Sequence, residues 1–470
     1  MTTTFNLRSN LDHKQPEMCT PVPFATVSGS FVLTTKDIDS PAAPVPDNII
    51  VYVAGVNQVY MCRGSEDSWV LLPPSGIGGA FGAGACGAYH PSGPTGTASA
   101  GSATTLTTTS TINVSLAGYM VRITAGTGKG QELLITSNTI GANSVLTFAT
   151  ASTTPDNTSV YLLLTGRFYV VFPGSTPGFR YWDHALQSWS TDLVVTGLTH
   201  AGTDAQLLAT PGSWSQMAEH TATSGASTSL VDTNRTWTTS QWVNFQVRLT
   251  AGAGAGQVRS ITANDATSLS VSAWTTNPDN TSVYAIEGND NYLYFMGNNS
   301  TALFRYSISG NSWSTLTARG AATAVGATGD WVYGVTADDW TNDSVIKNGR
   351  RIYSFRGGAT SALDYYDIPS NTWTNGVSYP RAAETFTVGT SSCYDHGNNL
   401  YIQKDNTGRW FRFNFTTYEL DGWFTNLYEQ GASIPGEKAW ILDYLDGGTE
   451  IRWVCSILNT SQLVFRTLII

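Results

Sequence analysis

Tyr306-Ser307-Ile308-Ser309-Gly310-Asn311-Ser312-Trp313 and Tyr366-Asp367-Ile368-Pro369-Ser370-Asn371-Thr372-Trp373 repeat one pattern, an aromatic residue followed seven positions later by Trp across a polar turn. Cys62 to Trp69 and Trp182-Asp183-His184-Ala185-Leu186-Gln187-Ser188-Trp189 keep the spacing, and a looser fifth copy runs from Phe413 through Phe415 and Asp421-Gly422 to Trp423. Ser, Gly, Asn and Pro in the middle describe a β-hairpin: the first residue ends a strand, the turn formers reverse the chain, and Trp opens the antiparallel partner. Two large rings then pack across neighbouring units. Upstream of the pairs, Ile49–Ala54, Phe168–Phe172, Tyr292–Met296, Ile352–Phe355 and Asn399–Gln403 alternate as short strands.

Between the first and second pairs, and between the second and third, the spacing exceeds one unit of roughly 40–50 residues. Both gaps hold the same module. The first contains Val121-Arg122-Ile123-Thr124-Ala125-Gly126-Thr127-Gly128-Lys129-Gly130-Gln131 and ends in Pro155-Asp156-Asn157-Thr158-Ser159-Val160-Tyr161. The second contains Val247-Arg248-Leu249-Thr250-Ala251-Gly252-Ala253-Gly254-Ala255-Gly256-Gln257 and ends in the same heptapeptide, Pro278-Asp279-Asn280-Thr281-Ser282-Val283-Tyr284. An identical heptapeptide at matching places marks a duplication. Removing 95–165 and 218–287 spaces the Trp residues of the pairs at 49, 54, 60 and 50, so one period reappears.

The best copy of the unit, Ile352-Tyr353-Ser354-Phe355-Arg356-Gly357-Gly358 with Tyr366 and Trp373, resembles the kelch family of β-propellers. Pro173-Gly174 and Gly297-Asn298 replace the glycine doublet in other copies. The resemblance implies an all-β propeller of about six blades, counting the C-terminal strands Ala439–Tyr444, Glu450–Cys455 and Leu463–Ile469, or seven if the N-terminal segment completes one. The expected organisation is a proline-rich extended arm (1–48), propeller segments at 49–94, 166–217 and 288–470, and inserted β modules at 95–165 and 218–287. The arm is expected to close the ring, removing its exposed edges, or to reach a neighbour.

The module in turn resembles small β modules of tailed-bacteriophage structural proteins, which share its Arg-Ile/Leu-Thr-Ala-Gly-x-Gly-x-Gly-Gln turn and Pro-Asp-x-Thr-Ser-x-Tyr ending. The combination is similar to propeller-containing nozzle proteins of short-tailed phages. It implies a virion component assembled in the host cytoplasm, with partners among copies of itself in a ring and the tail and portal-adaptor proteins. A receptor- or glycan-binding tail protein, with a host surface glycan as partner, or a capsid decoration protein is the alternative. An enzyme of galactose-oxidase or glycosidase type ranks below both.

Composition agrees with a β-protein: 470 residues, charged residues at 12%, 46 Gly, 15 Trp, 21 Tyr and 18 Phe. With 24 basic against 34 acidic residues the net charge is −10, which disfavours stable polyanion binding yet suits DNA sliding transiently through an acidic lumen. The start, Met-Thr-Thr-Thr-Phe-Asn-Leu-Arg, lacks the pattern of a secretory signal, and no apolar run approaches membrane-spanning length, so no membrane insertion is expected. Cys19, Cys62, Cys86, Cys393 and Cys455 form no metal or disulfide framework.

The chemistry-bearing residues read as structural. The glycine loops lie between β stretches (Met120–Thr124 to Glu132–Ile135, Gln246–Thr250 to Val258–Ile261) without a helix or a Walker lysine-serine pair, which makes them hairpin turns rather than phosphate cradles. His13, His90, His184, His200, His220 and His396 are isolated. Asp338-Asp339 with Asp343, and Asp443 with Asp446, are the acidic candidates for glycoside hydrolysis, but sit beside turn formers such as Asn342 and Gly447-Gly448. Trp214, Trp237, Trp242, Trp274, Trp331, Trp340, Trp410, Trp440 and Trp453 lie in or near apolar strands and read as packing residues. Asn113-Val-Ser, Asn157-Thr-Ser and Asn280-Thr-Ser match the glycan-acceptor pattern by composition. No catalytic, cofactor-binding or metal residue, no cofactor and no enzymatic activity is assigned.

Overall fold

A computed structural model describes residues 92–172, 177–199, 205–209, 219–287, 291–297, 300–320, 362–368 and 370–377 continuously, together with the separate strands named below. The described residues are all β, without a helix. Eight sheets follow from two kinds of sequence pattern.

Six small sheets are chain-ordered meanders. Sheet 1 holds Ile50–Val53, Gln58–Arg63 and Ser68–Leu71. Sheet 2 holds Cys86–His90, Arg167–Phe172, Gly178–Asp183 and Ser188–Trp189. Sheet 3 holds Gln206–Ala209, Tyr292–Met296, Leu303–Ser307 and Ser312–Thr315. Sheet 4 holds Asp330–Gly334, Arg351–Phe355, Leu363–Asp367 and Thr372–Val377. Sheet 5 holds Ser391–Tyr394, Asn399–Lys404, Arg409–Asn414 and Glu419–Thr425. Sheet 6 holds Ala439–Asp446, Thr449–Asn459 and Gln462–Leu468. Val32–Leu33, from the N-terminal arm, joins the last of these in parallel, pairing Val32 with Gln462. The rest of 1–48 lies outside the described residues.

Second strands such as Arg167–Phe172 and Tyr292–Met296 are buried at every position after the first. For Tyr292–Met296 the two faces meet different neighbours, Leu293 and Phe295 facing sheet 2 and Tyr294 and Met296 facing sheet 4. One core joins Tyr169, Val171 and Phe179 of sheet 2 to Leu293, Phe295 and Tyr306 of sheet 3, and another runs from Tyr294 through Tyr353 and Tyr366 to Phe413 and Leu420 across sheets 3, 4 and 5. The first strands of sheets 2 to 6 lie beside one another in chain order.

The aromatic hairpins take the expected register: Cys62 pairs with Trp69, Trp182 with Trp189, Tyr306 with Trp313 and Tyr366 with Trp373. A turn capped one residue after the aromatic explains the fixed spacing. Asp183, Ser307, Asp367 and Asn414 each accept, through a side-chain oxygen, the backbone N–H three residues on. Four residues after the cap, Gln187, Asn311, Asn371 and Tyr418 hold positive φ of 52°, 42°, 52° and 57°. The fifth copy differs from the expected reading: Phe413 pairs with Leu420, also seven positions on, while Phe411 pairs with Gly422 and Trp410 with Phe424, leaving Trp423 as the extra residue of a bulge.

Asn311 and Asn371 also join sheets. Asn311 Oδ1 accepts from Tyr306 Oη (2.8 Å) and from Val194 N of the segment trailing sheet 2 (3.0 Å), and Trp313 Nε1 donates to Val194 O (2.9 Å). Asn371 and Trp373 hold Thr317, trailing sheet 3, in the same way at 3.1 and 2.8 Å. Sheet 5 has neither Asn nor Trp at these places, and Tyr418 Oη instead meets Tyr353 Oη of sheet 4 at 3.1 Å.

Two larger sheets sit within hairpins of the small ones. Module 1 runs from Thr95–Thr97 to Val160–Leu164, between the first and second strands of sheet 2, and module 2 from His220–Thr221 to Val283–Glu287, between those of sheet 3. Each has seven strands, and each curls until its ends meet. In module 1 Thr95–Thr97 pairs with Val160–Leu164 and Ala100–Gly101 with Thr105–Thr107. Between them Ala98 N bonds Ser159 O and Ser99 N bonds Thr107 O, so one chain run seals both edges. Ala222 N to Ser282 O and Thr223 N to Val231 O repeat the closure in module 2.

Candidate functional site

At the contact between the two modules, which is built on the glycine loops, four residues of opposite charge converge out of water. In module 1 the loop joins strands Met120–Ala125 and Glu132–Asn138, with Gly126, Gly128 and Gly130 at φ of 75°, 78° and 91°. A Cβ on Gly126 would fall on Thr158 O. That approach lets Thr127 N donate to Thr158 Oγ1 (3.2 Å) and Ser159 Oγ donate to Thr127 O (2.6 Å). Asp156 Oδ1 receives Thr158 N and Oγ1 at 2.7 and 2.6 Å, which holds the Asp156 carboxyl below its ordinary pKa. Gln131 closes the loop, donating to Gly128 O and Thr153 O and accepting from Ser152 Oγ.

Module 2 repeats these bonds through Gly252, Ala253, Thr281, Ser282, Asp279 and Gln257, except that Gln257 Oε1 accepts from Thr275 N where Gln131 accepts from a hydroxyl. The repeated heptapeptide is therefore the lock for the glycine loop. The N–H groups of Lys129, Gly130 and Gln131 bond Gly126 O, Ile123 O and Gly128 O, as hairpin turns do.

The loops then meet each other. A Cβ on Gly130 would lie 3.3 Å from Gly256 N, and one on Gly256 would lie 2.7 Å from Lys129 Cβ and 3.0 Å from Gly130 N. Gly130 and Gly256 occupy the same place in their modules, and contact between equivalent residues is the mark of a two-fold relation. Beside them lie Arg122 and Glu132 of module 1 with Arg248 and Glu287 of module 2. Arg122 Nε reaches Glu132 Oε1 at 2.6 Å and Arg248 Nη2 reaches Glu287 Oε1 at 2.7 Å. Across the contact Arg248 Nη2 lies 3.5 Å from Glu132, and Arg122 Nη2 lies 3.9 Å from Glu287. Gln246 Nε2 donates to Glu287 Oε2 at 3.3 Å.

The side chains of Arg122 and Glu287 are 4% and 1% exposed, so this is an interior charge set. Burial pushes the Glu132 carboxyl up, but Arg122 and Arg248 beside it, with the Arg122 hydrogen bond, outweigh burial and hold it below the usual range. Each Arg was visible in the repeated strand motif, between two apolar residues of a chain poor in charge. Glu132 and Glu287 carried no such signal, because their counterparts in the other module are apolar, Val258 and Leu164.

On their other sides the modules rest on hairpins of the small sheets. Asn113 N and Nδ2 donate to Ala185 O and Leu186 O of sheet 2, and Tyr119 Oη lies 3.1 Å from His184 Nε2. Asn244 Nδ2 of module 2 donates to Ile368 O of the sheet 4 hairpin at 3.2 Å.

His90 is buried in sheet 2, where Nδ1 accepts Ser92 N, and His220 Nε2 lies 3.2 Å from Arg235 Nη1. Trp237, Trp242 and Trp274 are buried in the core of module 2. Asp443 and Asp446 stand opposite Arg452 and Thr449 in sheet 6, and Trp331, Trp410, Trp440 and Trp453 lie on strands of sheets 4, 5 and 6. His13, His200, His396, Asp338, Asp339, Asp343, Trp214 and Trp340 lie outside the described residues. Among the described residues no group of three His, Cys, Asp or Glu is placed to hold a metal, and no helix is long and apolar enough to cross a membrane. No protein-family model matches this chain, and no curated protein matches it significantly.

Proposed function

We propose that the six small sheets are the blades of a kelch-like propeller and that the protein is a structural component of a tailed-phage particle, most specifically a nozzle or hub subunit. Copies of the chain assemble as a ring below the portal, against tail and portal-adaptor proteins, with DNA passing through an acidic lumen. The observation that carries this reading is the pair of duplicated modules, which resemble phage structural modules and are set into the same hairpin of two successive sheets. The succession of first strands and the pairing of Val32–Leu33 with the last sheet support closure into a propeller. The net charge of −10 supports passage of a polyanion without adhesion.

Quantitative mass spectrometry of purified particles tests it. About six or twelve copies per particle, as cyclic symmetry at one vertex requires, is the expected result. Hundreds of copies would make the protein a capsid decoration, and absence from the particle would overturn the structural reading.

A further inference from the structure

The two modules are anchored on three sheets: module 1 enters through sheet 2 and rests on its His184–Leu186 turn, while module 2 enters through sheet 3 and reaches the sheet 4 turn at Ile368. They meet midway, at the glycine loops and the four charges. We propose that the module pair is a clasp across three successive sheets, locked by the balanced buried set Arg122, Glu132, Arg248 and Glu287, and that neutralising its two carboxylates opens the clasp while both modules and the sheets stay folded.

The geometry separates the lock from the folds it joins. Each module has its own core, around Val121, Ile123, Leu146 and Tyr161 in one and Leu249, Trp242, Leu269 and Tyr284 in the other, and each closes its own sheet edges. None of these residues belongs to the charge set. Glu132, on strand Glu132–Asn138, is faced by Arg122 from strand Met120–Ala125 and by Arg248 from strand Gln246–Ala251. Glu287, on strand Val283–Glu287, is faced by Arg248 and Gln246 from strand Gln246–Ala251 and by Arg122 across the contact. Lys129, in the glycine loop, lays its stem on Gly256.

Two positive and two negative groups cancel, and the cancellation permits their burial. Without the carboxylates two guanidinium groups remain at the contact, and parting the modules returns them to water. The glycine loops supply little side chain to oppose that parting. The depressed titration of Glu132 has the matching sign: its contribution is present above the ordinary carboxylate range and is lost as pH falls through its lower value in the folded protein.

The test uses the full chain with Ala255→Cys, whose Cβ lies 3.7 Å from a Cβ built on Gly130, and reads its reaction with dithiodipyridine by peptide mass spectrometry. Thr262→Cys, exposed on module 2, is the reference. With Glu132→Gln and Glu287→Gln together, labelling at 255 is expected to rise about tenfold while the reference is unchanged. Adding Arg122→Met and Arg248→Met, which removes the uncompensated charge, is expected to return it toward the starting rate.

An unchanged rate at 255 in the folded Gln variant would overturn the clasp, as would a rise that the Met replacements do not reverse. If the Gln variant does not fold, the Ala255→Cys chain is titrated with acid. Labelling at 255 rising ahead of the loss of module and sheet structure supports the proposal, and simultaneous loss of all three contradicts it.

Discussion

Module 1 and module 2 hold the same loop lock and fill the barrel beneath it with different side chains. Leu116 and Ala151 in the first stand where Trp242 and Trp274 stand in the second, as matching backbone bonds show: Leu116 N and Trp242 N bond Asn138 Oδ1 and Asn264 Oδ1, and Ala151 N and Trp274 N bond Ala103 O and Ser227 O. The Tyr161 hydroxyl lies among Thr109 and Ser110, whereas Tyr284 donates to the Asp232 carboxylate. The loop is kept because its glycine conformations and close backbone approaches admit one solution. A core can be refilled as long as volume and shape agree, and the pairing charges can change places because only their sum must vanish.

The largest test of that contrast is in the cores. Trp242→Ala is expected to cost module 2 about 4 kcal/mol and Leu116→Ala to cost module 1 about 3 kcal/mol. Hydrogen exchange at strand amides of each module measures both, and equal costs would deny that module 2 relies on its larger rings. Next come the shared loops. Gly126→Ala and Gly252→Ala each force a Cβ onto a carbonyl at positive φ. Each is expected to cost about 3 kcal/mol, within about 0.5 kcal/mol of one another. A clear difference would mean that the loops are not equivalent locks.

A smaller effect sharpens the contrast with the sheet hairpins. Asn311→Ala and Asn371→Ala each remove an acceptor that joins two sheets and are expected to cost about 2 kcal/mol by denaturant unfolding. Gln187 bonds its own turn through His184 O, and Gln187→Ala is expected to cost about 0.5 kcal/mol. The smallest effect is the acid dependence of the pairing face. Thermal midpoints between pH 7 and pH 3 are expected to fall less steeply in Glu132→Gln than in the native chain, since the variant lacks the carboxylate held below its ordinary range. A parallel pair of curves would remove Glu132 from the pH response.

The hairpins were legible because their constraint is local: a cap, a residue at positive φ and two facing apolar residues fall within eight positions. The Phe413 copy departs from the expected pairing for the same reason, since Leu420 fills the Trp place without an aromatic signature and the bulge shifts Trp423 out of register. The duplicated peptide points to two like modules, and the positions of the glycines follow from the turn they make. The joining of the modules was not legible. Its groups lie on strands of different modules, half of them have apolar counterparts in the other copy, and only the folded chain brings Glu132 to Arg248.

The most direct measurement is a density map of the full-length protein in its assembled state, at a resolution that traces strands. The expected result is six sheets around one axis, Val32–Leu33 beside Gln462–Leu468, and the two modules joined at Gly130 and Gly256 on one face. Sheets in an open row, or modules standing apart with Arg122 and Arg248 in separate surroundings, would contradict it.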